Sequence, residues 1–238
     1  MNKILRALLA WLVMVSPSWA AMAHVQSQCV THTSASQTSD TYTFPAALTS
    51  GNLVVFGAKR SSRTISSIVG DVSFSGSRSG SIQTWADGTI ELWLGVAAGA
   101  DTQVTINYSG IVGDNAMFCF AEFSGAASDQ SGATANGATV TASAGTHSSG
   151  SVTPPTADNV VVAVMGRNNA SWTDDADFTQ VTTPNSAYEI FAYKIQSAAT
   201  AQAYDASPDA SKNSGSRIGA FAGASSAQTF GFRLRVIQ

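Results

Sequence analysis

The chain contains one short apolar run twice, roughly a hundred residues apart. Residues 52–60 read NLVVFGAKR and residues 159–167 read NVVVAVMGR, and each run begins at an Asn and ends in a basic residue. A continuous apolar run of this length between polar flanks is typical of a buried strand. The repetition predicts two similar halves that share a core, because such a unit does not bury its apolar faces alone.

The similarity between the halves extends beyond this strand. Residues 89–110 align with residues 187–208 in one register, without a gap, and AEFSGA at 121–126 then falls on GAFAGA at 219–224. The alignment also assigns SAATAQAYDAS at 197–207 to a strand, although its Ala content favours a helix. We therefore expect a degenerate internal duplication, with two separate small domains as the alternative.

Short runs that alternate apolar and polar side chains occur along the whole chain. Ile90 and Leu92 share one face of such a run, and the run at 230–236 places its Phe, Leu and Val side chains opposite Arg233 and Arg235. Side chains at positions i and i+2 of a strand point the same way, so each run has one core face. Only 11% of the residues are charged, and strong helix formers such as Leu, Glu and Lys are scarce. The pattern predicts an all-β protein.

The first residues have the form of a secretory signal. Lys3 and Arg6 precede the apolar run LLAWLVMV at 8–15, and small residues follow that allow cleavage after Ala20 or Ala23. The run is shorter than the roughly 20 apolar residues that span a bilayer. We expect a signal peptide at 1–23 and a secreted product, periplasmic or extracellular, with no membrane segment after cleavage. The remaining residues, 24–238, fit one β-sandwich domain.

The charge pattern argues against nucleic acid as a partner. Without Lys3 and Arg6, ten of the twelve basic residues remain against fifteen acidic ones. Those ten are spread along the chain, with no more than two of them adjacent, whereas phosphate binding uses a clustered basic surface.

Four segments together resemble poorly characterised β-sandwich modules of secreted bacterial and phage-associated proteins. They are TFPAALTSGNLVVF at 43–56, residues 89–110, FAEFSGA at 120–126 and TPPTADNVVVAV at 153–164. The resemblance covers nearly all of the mature chain and carries no catalytic motif. It implies a jelly-roll-like antiparallel β-sandwich, similar in shape to carbohydrate-binding modules, in an extracellular setting.

Cys29 and Cys119 are the two cysteines of the chain, and both lie in its exported part. In an oxidising compartment a pair of this kind usually forms a disulfide. The alternative is a buried free Cys119 with Cys29 loose near the amino terminus.

The sequence contains no GxSxG, HExxH, CxxC or phosphate-loop motif. Its three glutamates are Glu91, Glu122 and Glu189. A pair of carboxylates about 5–9.5 Å apart suits glycoside hydrolysis. Glu91 and Glu189 are the candidates for such a pair, but two solvent-exposed acids on strand faces are the favoured interpretation. Glu122 lies among three phenylalanines, so we expect it to be buried in a structural role.

Aromatic residues give the best indication of a binding site. Sugars stack their C–H faces on Trp and Tyr rings while nearby polar side chains bind their hydroxyls. Trp85 and Trp172 lie in turn-like segments, and Trp93 shares a strand face with Glu91. These residues predict a glycan surface if they are exposed. The alternative is that each Trp caps the core at an edge of the sandwich.

The segment RNNASWTDDADF places Asp174, Asp175 and Asp177 within four residues. Calcium takes six to eight oxygen ligands, so this cluster is a candidate for part of a calcium site. A solvated turn is the favoured alternative, and we expect no other cofactor.

We therefore expect a secreted, non-catalytic binding module whose partner is a carbohydrate, a cell-surface glycan or a surface protein. The predicted ligand-binding residues are Trp85, Trp93, Trp172, Glu91 and Asp174. A structural or adhesive subunit, of the kind found in surface layers or virions, is the alternative from another class. A glycan-cleaving enzyme is the third.

Overall fold

A computed structural model of the protein describes residues 21–32, 37–60, 63–112, 116–130, 132–184 and 188–224. All of the regular structure in these ranges consists of antiparallel strands, so the all-β prediction is confirmed. No helix of the described chain is long and apolar enough to span a membrane. Residues 1–20 of the predicted signal peptide and the predicted last strand at 230–236 lie outside the described residues.

The strands of the first half begin at Ala23 and end at Ser124. They are β1 (Ala23–His32), β2 (Gln37–Thr43), β3 (Leu53–Arg60), β4 (Ile65–Gly70), β5 (Ser75–Arg78), β6 (Gln83–Trp85), β7 (Gly88–Val96), β8 (Gln103–Val112) and β9 (Ala116–Ser124).

The strands of the second half begin at Thr134 and end at Phe221. They are β10 (Thr134–Ser143), β11 (His147–Ser148), β12 (Asn159–Arg167), β13 (Trp172–Asp174), β14 (Thr179–Val181), β15 (Glu189–Gln196), β16 (Asp205–Pro208) and β17 (Lys212–Phe221). The segment 197–207, predicted as a strand, is one only from Asp205 onward.

The strands form three sheets. In the first half, one sheet has the order β1-β9-β3-β7-β5-β4-β8-β2, with β6 beside β7, and it folds over on itself at β5. In the second half, β10-β17-β12-β15-β14 form one sheet and β11-β16-β13 another.

The two halves pair their strands in the same way. Every strand pair of the second half has a counterpart in the first: β10–β17 corresponds to β1–β9, β12–β15 to β3–β7, and β11–β16 to β2–β8. The apolar run at 52–60 forms β3 and its copy at 159–167 forms β12, each at the centre of its sheet. This correspondence is what a duplication would produce, and the duplication and the jelly-roll topology stay predictions.

Three clusters of buried apolar side chains lie between the layers. The first core lies inside the folded sheet of the first half, and Phe56, Ile106 and Phe120 are among its members. The second core lies between the two sheets of the second half and contains Met165 and Tyr204. Each half therefore has an interior of its own.

A central core joins the halves. It combines Leu53, Leu92 and Phe123 of the first half with Val162 and Phe191 of the second. The β1-β9-β3-β7 layer and the β10-β17-β12-β15-β14 layer consequently pack face to face, and their inner strands β9, β3, β12 and β17 are covered on both faces. This explains why β3, β9 and β12 are apolar almost without alternation.

Candidate functional site

The three tryptophans predicted to form a binding surface lie in three different places. Trp85 belongs to the central core and Trp93 to the first core, with 8% and 5% of their surfaces exposed. Trp172 packs against the second core and is half-buried. The expected open surface of Trp85, Trp93 and Trp172 is therefore wrong. Trp85 and Trp93 are buried against the cores, as the alternative interpretation had it, and Trp172 lies apart from them on β13 of the outer sheet.

Glu91 is a buried structural residue. Its carboxylate accepts hydrogen bonds from the backbone N–H of Ile65 at 2.8 Å, from Nε of Arg78 at 2.9 Å and from Nε1 of Trp93 at 3.1 Å. The Arg78 guanidinium also lies over the Trp93 ring, 4.9 Å from its centroid. The predicted solvent-exposed Trp93–Glu91 platform is thus an internal network, in which the partners of the carboxylate offset the cost of burying it.

Glu122 is buried with hydrogen-bond partners, as expected. It accepts hydrogen bonds from the backbone N–H of Thr49 at 2.8 Å, from Nδ2 of Asn52 at 2.7 Å and from Nε2 of Gln26 at 2.6 Å. These bonds fix the loop before β3 against β1 and β9. Its role is structural.

Glu189 is buried in a different environment. It lies opposite Gly166 on β12, on the face of β15 that carries Phe191, and its Oε1 has no hydrogen-bond partner within the described residues. Burial raises the pKa of Glu189 to about 7, and the positive charge of Lys59 opposes that shift. Glu91 and Glu189 therefore border different cores, and the two expected solvent-exposed acids are both buried.

Trp172 and Asp174 lie together at one end of the second half. Asp174 forms an ion pair with Nη1 of Arg167 at 2.5 Å and accepts a hydrogen bond from the Tyr204 hydroxyl at 3.0 Å. The Arg167 guanidinium lies 5.1 Å from the centroid of the Trp172 ring, and Trp172 donates its Nε1–H to the Asn168 carbonyl. The polar groups of Trp172 and Asp174, both predicted to bind a ligand, thus form hydrogen bonds or ion pairs within the protein.

The other two carboxylates of this segment also have partners. Asp175 accepts a hydrogen bond from the backbone N–H of Asp177, and Asp177 pairs with Lys194 at 3.1 Å. The described part of the chain contains no group of three or more His, Cys, Asp or Glu side chains arranged to hold a metal ion. The calcium site stays an untested prediction.

Cys29 and Cys119 form a disulfide, as predicted. They face each other across the β1–β9 pair, with their Cα atoms 4.0 Å apart. Ahead of them, Met22 is buried in the central core and Ala23 begins β1. Of the two expected cleavage points, the one after Ala23 would remove Met22 from this core.

An open groove runs between β1 and β14, where the edges of the two inner layers meet. We call it the flank groove, and its volume is about 410 Å³, within the range of roughly 300–1,000 Å³ of ligand pockets. Its lining residues are His24, Ser27, Gln28, Cys29, residues 179–182 and Tyr193. It therefore combines aromatic rings with hydroxyl and amide groups.

The aromatic part of the flank groove is a stacked ring pair. The His24 and Tyr193 rings lie 4.8 Å apart at an interplanar angle of 11°, and Phe123 meets both of them edge-on. Burial lowers the pKa of His24, against a hydrogen bond to the Gln26 backbone that raises it, so the ring is neutral at neutral pH. Because His24 is exposed, its outer face is available for stacking.

The polar part of the flank groove consists of uncharged groups. Gln180 and Thr182 are exposed on one wall, and Ser27 and Gln28 are half-buried on the other. The Gln28 amide oxygen is shielded from solvent and lacks a hydrogen-bond partner in the described part of the chain.

A second open groove, of about 460 Å³, lies on the opposite flank. Ser75, Ser77 and Gln130 contribute to its lining, and no aromatic ring is among its described lining residues. The Gln130 side chain is already bonded to the backbone of Ala127 and Ala222. The flank groove is therefore the better candidate site.

Comparison with known protein families, with curated proteins and with solved structures finds no match to this chain.

None of the ligand-binding residues predicted from the sequence lines the flank groove. His24 and Tyr193 are about 170 positions apart and belong to different halves. Tyr193 lies two positions after Phe191 on β15, so the sequence predicts that both side chains point to the same, core-facing side of the strand. No sequence signal shows that β1 of the first half lies beside that side.

Proposed function

We propose that the protein is a non-catalytic module that binds a glycan in the flank groove. The observation that carries this proposal is the combination of a stacked His24–Tyr193 ring pair with uncharged hydrogen-bonding side chains along both walls of one groove. Sugar rings offer apolar C–H faces for stacking and hydroxyl groups for hydrogen bonding, so a glycan fits both parts of the lining.

The three glutamates of the chain favour binding over glycan cleavage. Glu91 and Glu122 are buried and bonded to backbone and side-chain donors. Glu189 borders the central core, away from Glu91, so these residues do not form a pair flanking a common opening. A cleaving enzyme of the usual two-carboxylate type would need such a pair.

Titration calorimetry with the full chain, on glycans first identified by array screening, tests this proposal. Gln180→Ala and Thr182→Ala should each weaken binding by about 2- to 10-fold, because each removes one hydrogen bond worth about 0.5–1.5 kcal/mol. Thr173→Ala, on an exposed site of β13, is the matched control and should leave affinity unchanged. Absence of any glycan binding would overturn the proposal. Loss of binding in Trp172→Ala, with full affinity in the groove variants, would move the site to the Trp172 loop.

A structural or adhesive subunit is the second candidate, and strand β1 favours it. This ten-residue strand lies at a sheet edge and carries no Lys, Arg, Asp or Glu, the residues that commonly block edge-to-edge pairing. Val25 on this strand is 46% exposed. Light scattering should then show concentration-dependent assembly that Val25→Lys abolishes, and a monomer at all concentrations would exclude this alternative.

A further inference from the structure

We infer that the ligand of the flank groove is an uncharged glycan, not an acidic one. The inference rests on the proposed glycan-binding function and specifies its substrate class. Its basis is the absence of any cationic side chain among the described lining residues of the groove.

The hydrogen-bonding groups of the groove match neutral hydroxyls. Gln180 offers an exposed amide N–H donor and carbonyl acceptor, and Ser27, Thr179 and Thr182 offer hydroxyls that donate or accept. A sugar hydroxyl also donates and accepts, so every lining group finds a suitable partner. A carboxylate or sulfate only accepts, so it would use the donors of the groove and none of its acceptors.

An acidic ligand would also lose hydration without gaining a counter-charge. Charged groups are costly to desolvate unless they are paired, and acidic groups are usually bound by Arg or Lys. The nearest basic residue along the chain, Lys194, follows Tyr193 on β15 and projects from the opposite face of the strand. Its ammonium group is held by Asp177 at 3.1 Å and by Gln202 at 2.9 Å. It is therefore not available to the groove.

The titratable side chains at the groove are Tyr193, whose hydroxyl pKa is raised by burial so that it is uncharged at neutral pH, and His24. Its ring stacks on Tyr193 and lies edge-on to Phe123, both uncharged aromatic groups. Because the ring is neutral at neutral pH, it adds no positive charge to the lining. In a chain cleaved after Ala20, which keeps Met22 in the central core, the amino terminus adds none either.

An array of neutral, uronate-containing and sulfated oligosaccharides, probed with the full chain at neutral pH, tests the inference. Binding should be confined to the neutral glycans. A matched pair, oligogalacturonate and its methyl ester, separates charge from sugar identity, since they share one backbone. Affinity for a bound neutral glycan should change by less than about two-fold between low and high salt, because screening acts on charged contacts.

Two outcomes separate this inference from the proposed function. Binding to acidic glycans as tightly as to neutral ones, or more tightly, would overturn the inference and leave the glycan-binding function standing. No binding to any glycan would overturn both. As a positive test, Thr182→Lys should raise affinity for acidic glycans by at least fivefold, whereas Thr173→Lys on β13 should not, and equal gains in both variants would contradict the assignment to the groove.

Discussion

Glu91 and Glu189 align in sequence, yet they lie on opposite sides of their sheets. Glu91 pairs with Ala58 of β3, whereas Glu189 pairs with Gly166 of β12, one position further along the matched strand. Side chains alternate along a strand, so a shift of one residue moves the carboxylate to the other face. Glu91 therefore faces the donors of the first core, and Glu189 faces the central core near Lys59.

Glu189 should make the stability of the protein depend on pH. Its pKa is about 7 in the folded protein against an ordinary value of 4.5, so between these values the folded state holds a proton that the unfolded state has lost. Stability should then fall as pH rises from about 4.5 to 7, by about 3 kcal/mol, and stay low above pH 7. Glu189→Gln should remove this dependence and be the more stable protein at pH 8, as measured by chemical denaturation across pH.

Glu122→Gln is the matched control for this test. The Glu122 carboxylate accepts three hydrogen bonds, and the amide group of Gln would place donors against donors. This variant should be less stable than the native protein at pH 8. If Glu189→Gln also lost stability at pH 8, the ionised carboxylate of Glu189 would not destabilise the folded protein, and this prediction would be wrong.

Arg60 and Arg167 end the two matched strands and differ in their partners. Arg167 pairs with Asp174, whereas Arg60 is fully buried over the Tyr108 ring, 3.9 Å from its centroid. None of the three Arg60 guanidinium nitrogens has a hydrogen-bond partner within the described residues. Burial accordingly lowers the pKa of Arg60, and the charges of its neighbours oppose that shift.

This difference predicts opposite effects of one substitution. Arg167→Met should destabilise the protein by about 3–5 kcal/mol, because it leaves the Asp174 carboxylate without its ion pair. Arg60→Met should be neutral or stabilising, since it removes a buried charge that lacks hydrogen bonds and keeps most of the apolar volume. Urea denaturation of both variants measures this, and equal losses would show that Arg60 is held by interactions as strong as those of Arg167.

At the scale of elements, the disulfide fastens an edge strand to the middle of the fold. Strand β1 pairs with β9 alone among the described strands, and Cys29 and Cys119 face each other in that pair. The same strand supplies one wall of the flank groove. The bond thus anchors the element on which the candidate site depends.

Removing this bond should lower stability substantially. It closes a loop of 90 residues, for which the chain-entropy relation gives about 4–5 kcal/mol. The double variant Cys29→Ala with Cys119→Ala should show that loss in guanidinium denaturation, and reductant should cause a similar loss in the native protein. Reductant should leave the double variant unchanged. An unaffected native midpoint would mean that β1 is held by its strand pairing and packing.

At the scale of the whole molecule, the halves are joined by close packing of their inner layers. Gly57 of β3 lies so near β15 that a Cβ atom there would be 2.6 Å from the Phe191 ring and 3.1 Å from Val164. Glycine at this position permits the close approach of the layers. The central core therefore couples the first half to the second.

This contact predicts that Gly57→Ala destabilises the protein as a unit. The added methyl group must displace Phe191, at a cost of about 1–3 kcal/mol. Calorimetry should show one transition at a lower temperature, with both halves melting together. Gly132→Ala, whose Cβ would meet only Pro155 at 3.7 Å, should be near neutral. Two separate transitions, with only one of them shifted, would show that the halves unfold independently.

The sequence by itself determined the strand content, the repeated central strands and the pairing of the two cysteines. Alternation identifies which side chains share a face, and Ile90, Leu92 and Leu94 do lie together in the central core. The strand content and the repeated strands depend on local geometry, which a short stretch of sequence determines. The disulfide follows because two cysteines can form only one intramolecular pair.

Only the tertiary structure decided which faces meet solvent. Trp85, Trp93, Glu91 and Glu189 occupy strand or turn positions that the sequence leaves open to either environment. The packing of layers against both faces of the inner sheets buries all four. The flank groove arises in the same way, from β1 and β14 of different halves lying side by side. Contacts between layers depend on how whole faces complement each other in shape and area, and no short stretch of sequence carries that information.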